Sequence, residues 1–271
     1  MLRLFALLLV LGGGGVTALV VTRRPRADRA WAADHARAPI VTFSGDSLVR
    51  VEGVRRFRYP SATRVEERWE AATYDLRAVA SVWLVLTPFS KGWRGPAHTF
   101  VSFGFADSSY VAISIEARRE ADEAYGVLRG LGRNYELIYV VGDEPDLIGR
   151  RVALDEADTY LYPLTASPAD ARALLADMLE RAAALRQRPE FYNTLGNSCV
   201  SNLVQHVNRL APGRIPGGVR LLFPGYADAV AHELGLIDQA LPIDSARARY
   251  RINERARDHL DAADFSRRIR Q

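Results

Sequence analysis

The stretch Phe191-Tyr-Asn-Thr-Leu-Gly-Asn-Ser-Cys-Val-Ser-Asn202 contains the only cysteine of the chain, Cys199. Apolar residues follow this cysteine at helical spacing: Val200, Leu203, Val204, Val207 and Leu210. The pattern predicts a helix that begins near Cys199, with Asn197 or Ser198 as its N-cap. Because free N–H groups at a helix start stabilise a thiolate, we expect a thiol pKa below the usual value of about 8.5. The alternative is a buried cysteine that packs as a small hydrophobic residue.

A cysteine nucleophile needs a base within hydrogen-bond reach, normally a histidine. His206 lies about 10 Å from Cys199 along the predicted helix, which is too far for direct pairing. His98 is the best candidate, because it lies at the start of a predicted strand and could face the start of the cysteine-bearing helix, as in papain-like enzymes. The alternative is a core histidine. Three histidines are assigned to a linker or to surface helices: His35, His232 and His259.

A third residue should orient the imidazole and fix its tautomer. The candidates are Ser114 and Glu116, which share a face of the neighbouring predicted strand. Glu116 could equally pair with Arg118, Arg119 or another surface arginine. Asn197 could instead form an oxyanion hole with the backbone N–H of Cys199. No group of His, Cys, Asp and Glu has the spacing of a metal site, so we expect no metal and no other cofactor.

The amino terminus carries an uncharged apolar run, Leu4–Val21, of roughly 18 residues, which is long enough to cross a bilayer as a helix. We interpret residues 1–22 as a transmembrane anchor. A cleaved signal peptide is the alternative, but the run is long for one and ends at Thr22-Arg-Arg24 rather than at a small-residue cleavage site. The arginines after the run would keep the rest of the chain in the cytoplasm by the positive-inside rule. Residues 23–39 are interpreted as a linker.

The composition is that of a globular protein, with 48% hydrophobic and 25% charged residues and a formal net charge of +4. Clustered arginines fit anionic lipid headgroups or a solvated surface. No zinc-finger or RNP-like pattern is present, so we expect no nucleic-acid partner.

Short β-like runs dominate residues 40–164, and helical patterns follow, which predicts an α+β fold with an antiparallel sheet packed against helices. Ser167 and Pro168 mark the start of a helix that ends near Arg188, and further helices are predicted at Tyr226–Leu234 and Ser245–Leu260. Gly45-Asp-Ser-Leu48 matches the nucleophile motif of GDSL hydrolases, but strand-like residues follow it, so we predict a hairpin turn.

Several segments occur in the order found in one known family: Ala97–Phe105, Ala112–Arg119, Tyr135–Val141 and Arg188–Leu195. Together they resemble the Lnb N-terminal periplasmic domain family. Val54–Tyr59 and Leu222–Tyr226 also fit, so the resemblance covers residues 40–271. Members of this family are lipoprotein transacylases, which move an acyl chain from the diacylglyceryl group of a lipoprotein to its N-terminal amine.

The resemblance implies a permuted papain-like fold, similar to NlpC/P60 domains, in which histidine precedes cysteine. Cys199 and His98 match the catalytic positions of the family. The family commonly has Asn-Asn-Cys where this chain has Asn197-Ser-Cys199, so a hydrogen bond from the second asparagine would change. Against the charge rule, the resemblance implies a single-pass inner-membrane protein. Residues 40–271 would form its periplasmic catalytic domain, with a helical C-terminal extension.

We therefore expect a membrane-anchored periplasmic thiol acyltransferase acting on lipoprotein or phospholipid acyl esters. Cys199, deprotonated by His98, would form a thioester acyl-enzyme. One alternative is a papain-like cysteine amidase or peptidase acting on cell-envelope peptides, which a polar rather than an apolar groove beside Cys199 would favour. Another is a non-catalytic envelope scaffold anchored in the membrane.

Overall fold

The computed structural model describes residues 23–61, 63–91 and 93–271. The apolar run Leu4–Val21, and with it the predicted transmembrane helix, lies outside these residues. Within the described ranges, no helix is both long enough and apolar enough to cross a bilayer.

The strands lie in the first part of the described chain, between residues 40 and 163. The described strands are β1 (Ile40–Ser44), β2 (Leu48–Arg55), β3 (Arg58–Ser61), β4 (Arg64–Glu66), β5 (Trp69–Asp75), β6 (Val79–Pro88), β7 (Ala97–Phe105), β8 (Tyr110–Arg118), β9 (Glu136–Gly142) and β10 (Tyr160–Pro163). The described α-helices are α1 (Glu144–Ala153), α2 (Pro168–Gln187), α3 (Cys199–Leu210), α4 (Ala227–Glu233), α5 (Ile243–Tyr250), α6 (Asn253–Asp258) and α7 (Phe265–Arg268). Short 3-10 helices lie at Ala33–His35, Leu76–Ala78, Arg129–Leu131, Val219–Leu222 and Pro224–Tyr226.

One sheet dominates the fold, with the strand order β1-β2-β9-β8-β7-β6-β10 and with β5 paired to β2. Adjacent strands in this sheet are antiparallel, except that β2 and β9 form a parallel pair at Arg55 and Gly142. β3 and β4 form a separate hairpin. The predicted α+β class with a largely antiparallel sheet is therefore confirmed.

Helices cover both faces of the sheet. On one face, α2 and α3 pack against residues such as Val101 and Ile113. On the other face, α1, α6 and α7 pack against residues such as Phe100 and Ala112. Side chains alternate along a strand, so odd-numbered residues of β7 contact the α3 layer and even-numbered residues contact the α1 layer.

Two local predictions are confirmed, one for a helix start and one for a hairpin turn. Ser167 is the N-cap of α2 and forms a capping box with Asp170, and Pro168 occupies the first turn. Gly45 lies in the turn of the β1–β2 hairpin with a φ of 59°. Because strand β2 follows that turn, the GDSL-like motif has the predicted hairpin geometry.

Two elements differ from the sequence-based prediction. Helix α1 was not predicted, although Asp143 caps it by accepting a hydrogen bond from the backbone N–H of Asp146. The predicted helix Ser245–Leu260 is two helices, α5 and α6. The chain is extended at Arg251, between the two helices, because the Ile252 N–H donates to the carbonyl of Thr159 and the Asn253 side chain accepts from the Thr159 N–H.

A buried ion pair joins the N-terminal segment, β2 and α1. Arg55 and Asp146 are 1% and 0% exposed and form hydrogen bonds of 2.9 to 3.2 Å. Arg55 Nη1 also donates to the carbonyl of Asp34 at 2.9 Å. Asp146 accepts further hydrogen bonds from the Phe57 N–H and the Tyr59 hydroxyl. These bonds fix the short helix Ala33–His35 against the sheet.

Candidate active site

The sheet opens where β7 begins. The pairing of β7 with β8 stops at Phe100 and Ser114. Beyond that point, β7 continues alongside β6 to Ala97, and β8 continues alongside β9 to Arg118. The two strands therefore separate, and a cavity of about 230 Å³ lies between them. Its lining includes Cys199, His98, Glu116, His35 and Tyr192.

Cys199 is the first residue of α3, as predicted. Ser198 is the N-cap, and its hydroxyl accepts a hydrogen bond from the Ser201 N–H within a capping box. Asn197 has a different role from an oxyanion-hole donor. Its side-chain amide donates to the Phe191 carbonyl at 2.9 Å and to Glu190, and its side-chain carbonyl accepts from Asn202. Asn197 therefore holds the loop before α3 in place, and the candidate oxyanion-hole donors belong to other residues.

The thiol of Cys199 is only 4% exposed. Burial raises its pKa, and this effect exceeds the stabilisation of the thiolate by the Thr99 N–H and hydroxyl and by the N–H groups at the helix start. The expectation of a lowered pKa is therefore wrong, because loss of hydration outweighs the helix terminus. Cys199 is a neutral thiol at pH 7.

Three donors beside the sulfur have no oxygen or nitrogen acceptor within the described residues. The N–H groups of Cys199 and Val200 belong to the first turn of α3, where no intrahelical acceptor exists. The Thr99 hydroxyl is buried and also lacks a hydrogen bond. These groups can donate to an oxygen that develops negative charge beside the sulfur.

His98 is buried, and its hydrogen bonds define its tautomer. Its Nε2 lies 2.7 Å from Ser114 Oγ, and the Ser114 hydroxyl donates to Glu116 Oε1 at 2.7 Å. Since that hydroxyl has one proton, its oxygen accepts from the Nε2–H of His98, and Nδ1 carries the lone pair. Burial, together with the charge of Arg151, lowers the pKa of His98 to about 3. The imidazole is therefore neutral at pH 7 and can act as a base through Nδ1.

Glu116 is the carboxylate at the centre of this network. Burial would raise its pKa, but the hydrogen bond from His35 and the charge of Arg151 outweigh burial and keep the pKa well below its usual value. Arg151 Nη2 donates to Glu116 Oε1 at 3.2 Å. Glu116 thus pairs with Arg151 of α1 and not with Arg118 or Arg119, and it also orients Ser114.

His35 completes the network, although the sequence pattern predicts a linker at this position. It is 1% exposed. Its Nδ1 accepts from the Arg119 N–H at 3.2 Å, so its Nε2–H donates to Glu116 Oε2 at 2.9 Å. The order His35–Glu116–Ser114–His98 is a continuous hydrogen-bonded relay.

Charged side chains form one wall of the cavity: Asp34, Arg119, Arg150, Arg151 and Asp155. Asp34 pairs with Arg119 and Arg150, each at 2.9 Å. Burial would raise the pKa of Asp34, but His35 and these two arginines lower it. Within the described part of the chain, no three His, Cys, Asp or Glu residues form a metal site.

The candidate nucleophile and base reach the cavity from opposite sides of β7. Thr99 faces α3 and Cys199, whereas His98 shares a face with Phe100 and has its partners on the α1 side. This corrects the expectation that His98 faces the start of α3. Both residues line the cavity because β7 and β8 have separated there, and no hydrogen bond joins them among the described residues.

His206 supports α3 from within the core. Its Nε2 is 2.7 Å from the Tyr139 hydroxyl, and its Nδ1 is 2.5 Å from Asp177 Oδ2. Asn202, one turn earlier, accepts from the same tyrosine at 3.2 Å. As the helix spacing predicted, His206 does not pair with Cys199. It joins α3 to β9 and α2.

The fold and the site are those of an α+β domain with a cysteine and a histidine in one cavity. A family model described as the Lnb N-terminal periplasmic domain matches residues 65–225, more than half of the chain, so the chain belongs to this family. It is a periplasmic envelope protein. No curated protein and no solved structure matches it. His35 lies outside the matched residues.

Proposed function

We propose that the protein is a membrane-anchored periplasmic thiol acyltransferase with a permuted papain-like catalytic arrangement. Its substrates are the acyl esters of lipoproteins or phospholipids. The observation that carries the proposal is the cavity shared by Cys199, at the start of α3, and His98, whose Nδ1 is free to accept a proton. Membership of the Lnb N-terminal periplasmic domain family supports it.

The neutral states of both groups favour general-base catalysis over a preformed ion pair. The pKa of the thiol is raised and that of His98 is lowered to about 3, so the proton stays on sulfur until attack. Catalytic hydrogen bonds are often long in ligand-free enzymes and shorten in the substrate complex. In the proposed reaction, substrate binding brings Sγ and Nδ1 together at the start of β7.

The first half-reaction forms the acyl-enzyme. The Cys199 sulfur attacks the ester carbonyl carbon while its proton passes to His98 Nδ1. The carbonyl oxygen becomes an oxyanion, which accepts hydrogen bonds from the N–H groups at the start of α3 and from Thr99. The carbon–oxygen ester bond then breaks, and His98 returns the proton to the departing alcohol.

The second half-reaction releases the acyl chain. A primary amine attacks the thioester carbonyl, His98 takes one amine proton, and the carbon–sulfur bond breaks. That proton then goes to sulfur, which restores the thiol and leaves an amide. Glu116 stabilises the imidazolium that forms in each half-reaction, through Ser114.

An apolar pocket beside the sulfur supports a lipid substrate. It has a volume of about 90 Å³ and includes Thr99 and Val200, the immediate neighbours of the cysteine site. The rest of its lining is mainly leucine and valine from α3 and the adjacent strands and loops. An acyl carbonyl at Cys199 would place the first carbons of its chain at this pocket.

The charged wall of the cavity favours a second candidate, a cysteine amidase that acts on cell-envelope peptides. Asp34, Arg150 and Arg151 could pair with the charged ends or side chains of a peptide. Both candidates use the same cysteine and histidine, and they differ in the bond that is broken.

The test is incubation of the full chain in lipid nanodiscs with a synthetic diacylated lipopeptide, followed by tandem mass spectrometry of the lipopeptide. A product with one acyl chain moved to the N-terminal amine, absent with Cys199→Ala, supports acyl transfer. Cysteine-dependent cleavage of an amide bond supports the amidase. An unchanged lipopeptide, or transfer that persists in Cys199→Ala, would overturn the proposed function.

A further inference from the structure

Four loops near the cavity expose large hydrophobic side chains. These loops, residues 89–96, 125–134, 191–198 and 219–226, are called the rim here. Seven of their large hydrophobic residues are 40% to 81% exposed: Phe89, Trp93, Leu128, Leu131, Leu195, Leu222 and Phe223. Clustered exposed hydrophobic residues of this kind mark a surface that binds a partner.

The four loops of the rim contact one another in sequence and adjoin the cavity. The rings of Phe89 and Tyr125 are 5.9 Å apart, and both residues line the cavity. Residues 219–226 join residues 89–96 through a backbone hydrogen bond of 3.0 Å from Gly225 to Gly95. The Thr194 N–H donates to the Gly130 carbonyl at 2.9 Å, which joins residues 191–198 to residues 125–134. Residues 191–198 lead directly into Cys199.

The four loops of the rim contain no aspartate and no glutamate, and they carry Lys91, Arg94, Arg129, Arg133 and Arg220. Three of these arginines pair with carboxylates just outside the loops: Arg94 with Asp228, Arg129 with Glu123 and Arg220 with Glu233. Aromatic and leucine side chains interspersed with lysine and arginine are typical of protein surfaces that lie in the headgroup region of a bilayer.

The described chain enters the domain at the rim. Arg23 directly follows the apolar run 4–21 and its flanking Thr22. Arg23 Nη1 donates to Asn134 Oδ1 at 3.2 Å, and Arg133 Nη1 donates to the Arg23 carbonyl at 3.2 Å. Arg23, the first described residue after the apolar run, therefore lies against one of the loops of the rim.

We propose that the rim docks on the outer surface of the bilayer that contains the apolar run, so that the cavity opens toward the lipid headgroups. The exit point of the chain and the exposed hydrophobic side chains favour a lipid surface over a second protein. Docking would let an acyl ester reach Cys199 from the bilayer while the body of the domain remains in water.

The experiment places an environment-sensitive NBD fluorophore at chosen positions of the full chain in nanodiscs of phosphatidylcholine and phosphatidylglycerol. Single cysteines are introduced by Leu128→Cys and Leu195→Cys in a Cys199→Ser background. Matched control sites are Phe43→Cys and Val65→Cys, which are also exposed hydrophobic positions but lie outside the rim. A nitroxide attached near the headgroup of the lipid serves as quencher.

We expect nitroxide lipid to quench the fluorophore at both rim positions and to leave it bright at both control positions. All four variants carry the same apolar run, so a difference between them reports orientation and not anchoring. Equal quenching at rim and control sites would overturn the proposal. So would a blue-shifted rim signal without quenching, because a protein would then cover the rim. The cysteine nucleophile is absent throughout, so the result is independent of the proposed catalysis.

Discussion

Ser114→Ala breaks the relay to the candidate base with little change in shape. In the wild type, Ser114 Oγ accepts from His98 Nε2 and donates to Glu116 Oε1, each over 2.7 Å. His98 Nε2 and Glu116 Oε1 are 3.8 Å apart, so no direct hydrogen bond replaces the hydroxyl without movement. The variant leaves the imidazole N–H without a partner and removes the bias toward the Nε2–H tautomer.

The size of the effect follows from the bond that is lost. A hydrogen bond to a charged group contributes about 1.5 to 3 kcal/mol, and the imidazole is charged only while it holds the proton of the thiol. Loss of that bond in the transition state slows acylation by about 10- to 150-fold. The assay is quenched-flow measurement of acyl-enzyme formation with a p-nitrophenyl acyl ester.

Ser102→Ala is a matched control for this variant. Ser102 is fully buried on the neighbouring strand, faces the same layer, and donates to Glu144 at 2.5 Å, outside the cavity. Both variants should lose about 1 to 3 kcal/mol of folding stability, and Ser114→Ala alone should lose acylation rate. An unchanged acylation rate in Ser114→Ala, or an equal loss in Ser102→Ala, would refute the relay.

Three further results are expected. His35→Leu should slow acylation by about 2- to 10-fold, because Glu116 loses a hydrogen bond that orients it. His35→Gln can still donate to Glu116 and should acylate near the wild-type rate. Equal rates for the two variants would contradict the role of His35 in orienting Glu116. The melting temperature should fall as pH drops from 6.5 toward 3. The unfolded chain takes up a proton on His98 near its ordinary pKa of 6.5, while the folded chain does so only at about 3, and His98→Gln should flatten this slope. Asp146→Asn should cost about 3 to 5 kcal/mol in urea denaturation, because Arg55 is left buried without its counter-ion; a cost below 1 kcal/mol would contradict that reasoning.

The start of α3 was predictable because its causes are local. The N-cap serine, the first-turn cysteine and the apolar stripe lie within a dozen residues of one another, and capping chemistry acts over one turn. The pairing of His98 with Ser114 and Glu116 was also accessible, since alternation along two adjacent strands places the three side chains on one face.

The role of His35 could not be predicted from the local sequence pattern. His35 contacts Glu116 across 81 positions of the chain, and the segment around it has neither helical nor strand periodicity. Its location is set by long-range bonds, from Arg55 to the carbonyl of Asp34 and from Arg118 to the carbonyl of His35. Such contacts leave no signal in the spacing of residues.

The pKa of Cys199 shows a different limit. The helix terminus that lowers a thiol pKa can be recognised in the sequence, but the burial that raises it depends on tertiary packing. Alkylation by iodoacetamide at neutral pH should therefore be slow even if Cys199 is catalytic. Slow alkylation does not distinguish an enzyme from a scaffold, whereas formation of an acyl adduct does.

Intact-protein mass spectrometry after incubation with a diacylated lipopeptide tests the central claim most directly. We predict that the full chain in nanodiscs gains the mass of one acyl chain on Cys199. The adduct should form more slowly in His98→Gln and be absent from Cys199→Ala. An adduct that forms equally in Cys199→Ala, or product formation with no adduct on Cys199 at any time, would contradict the thioester mechanism.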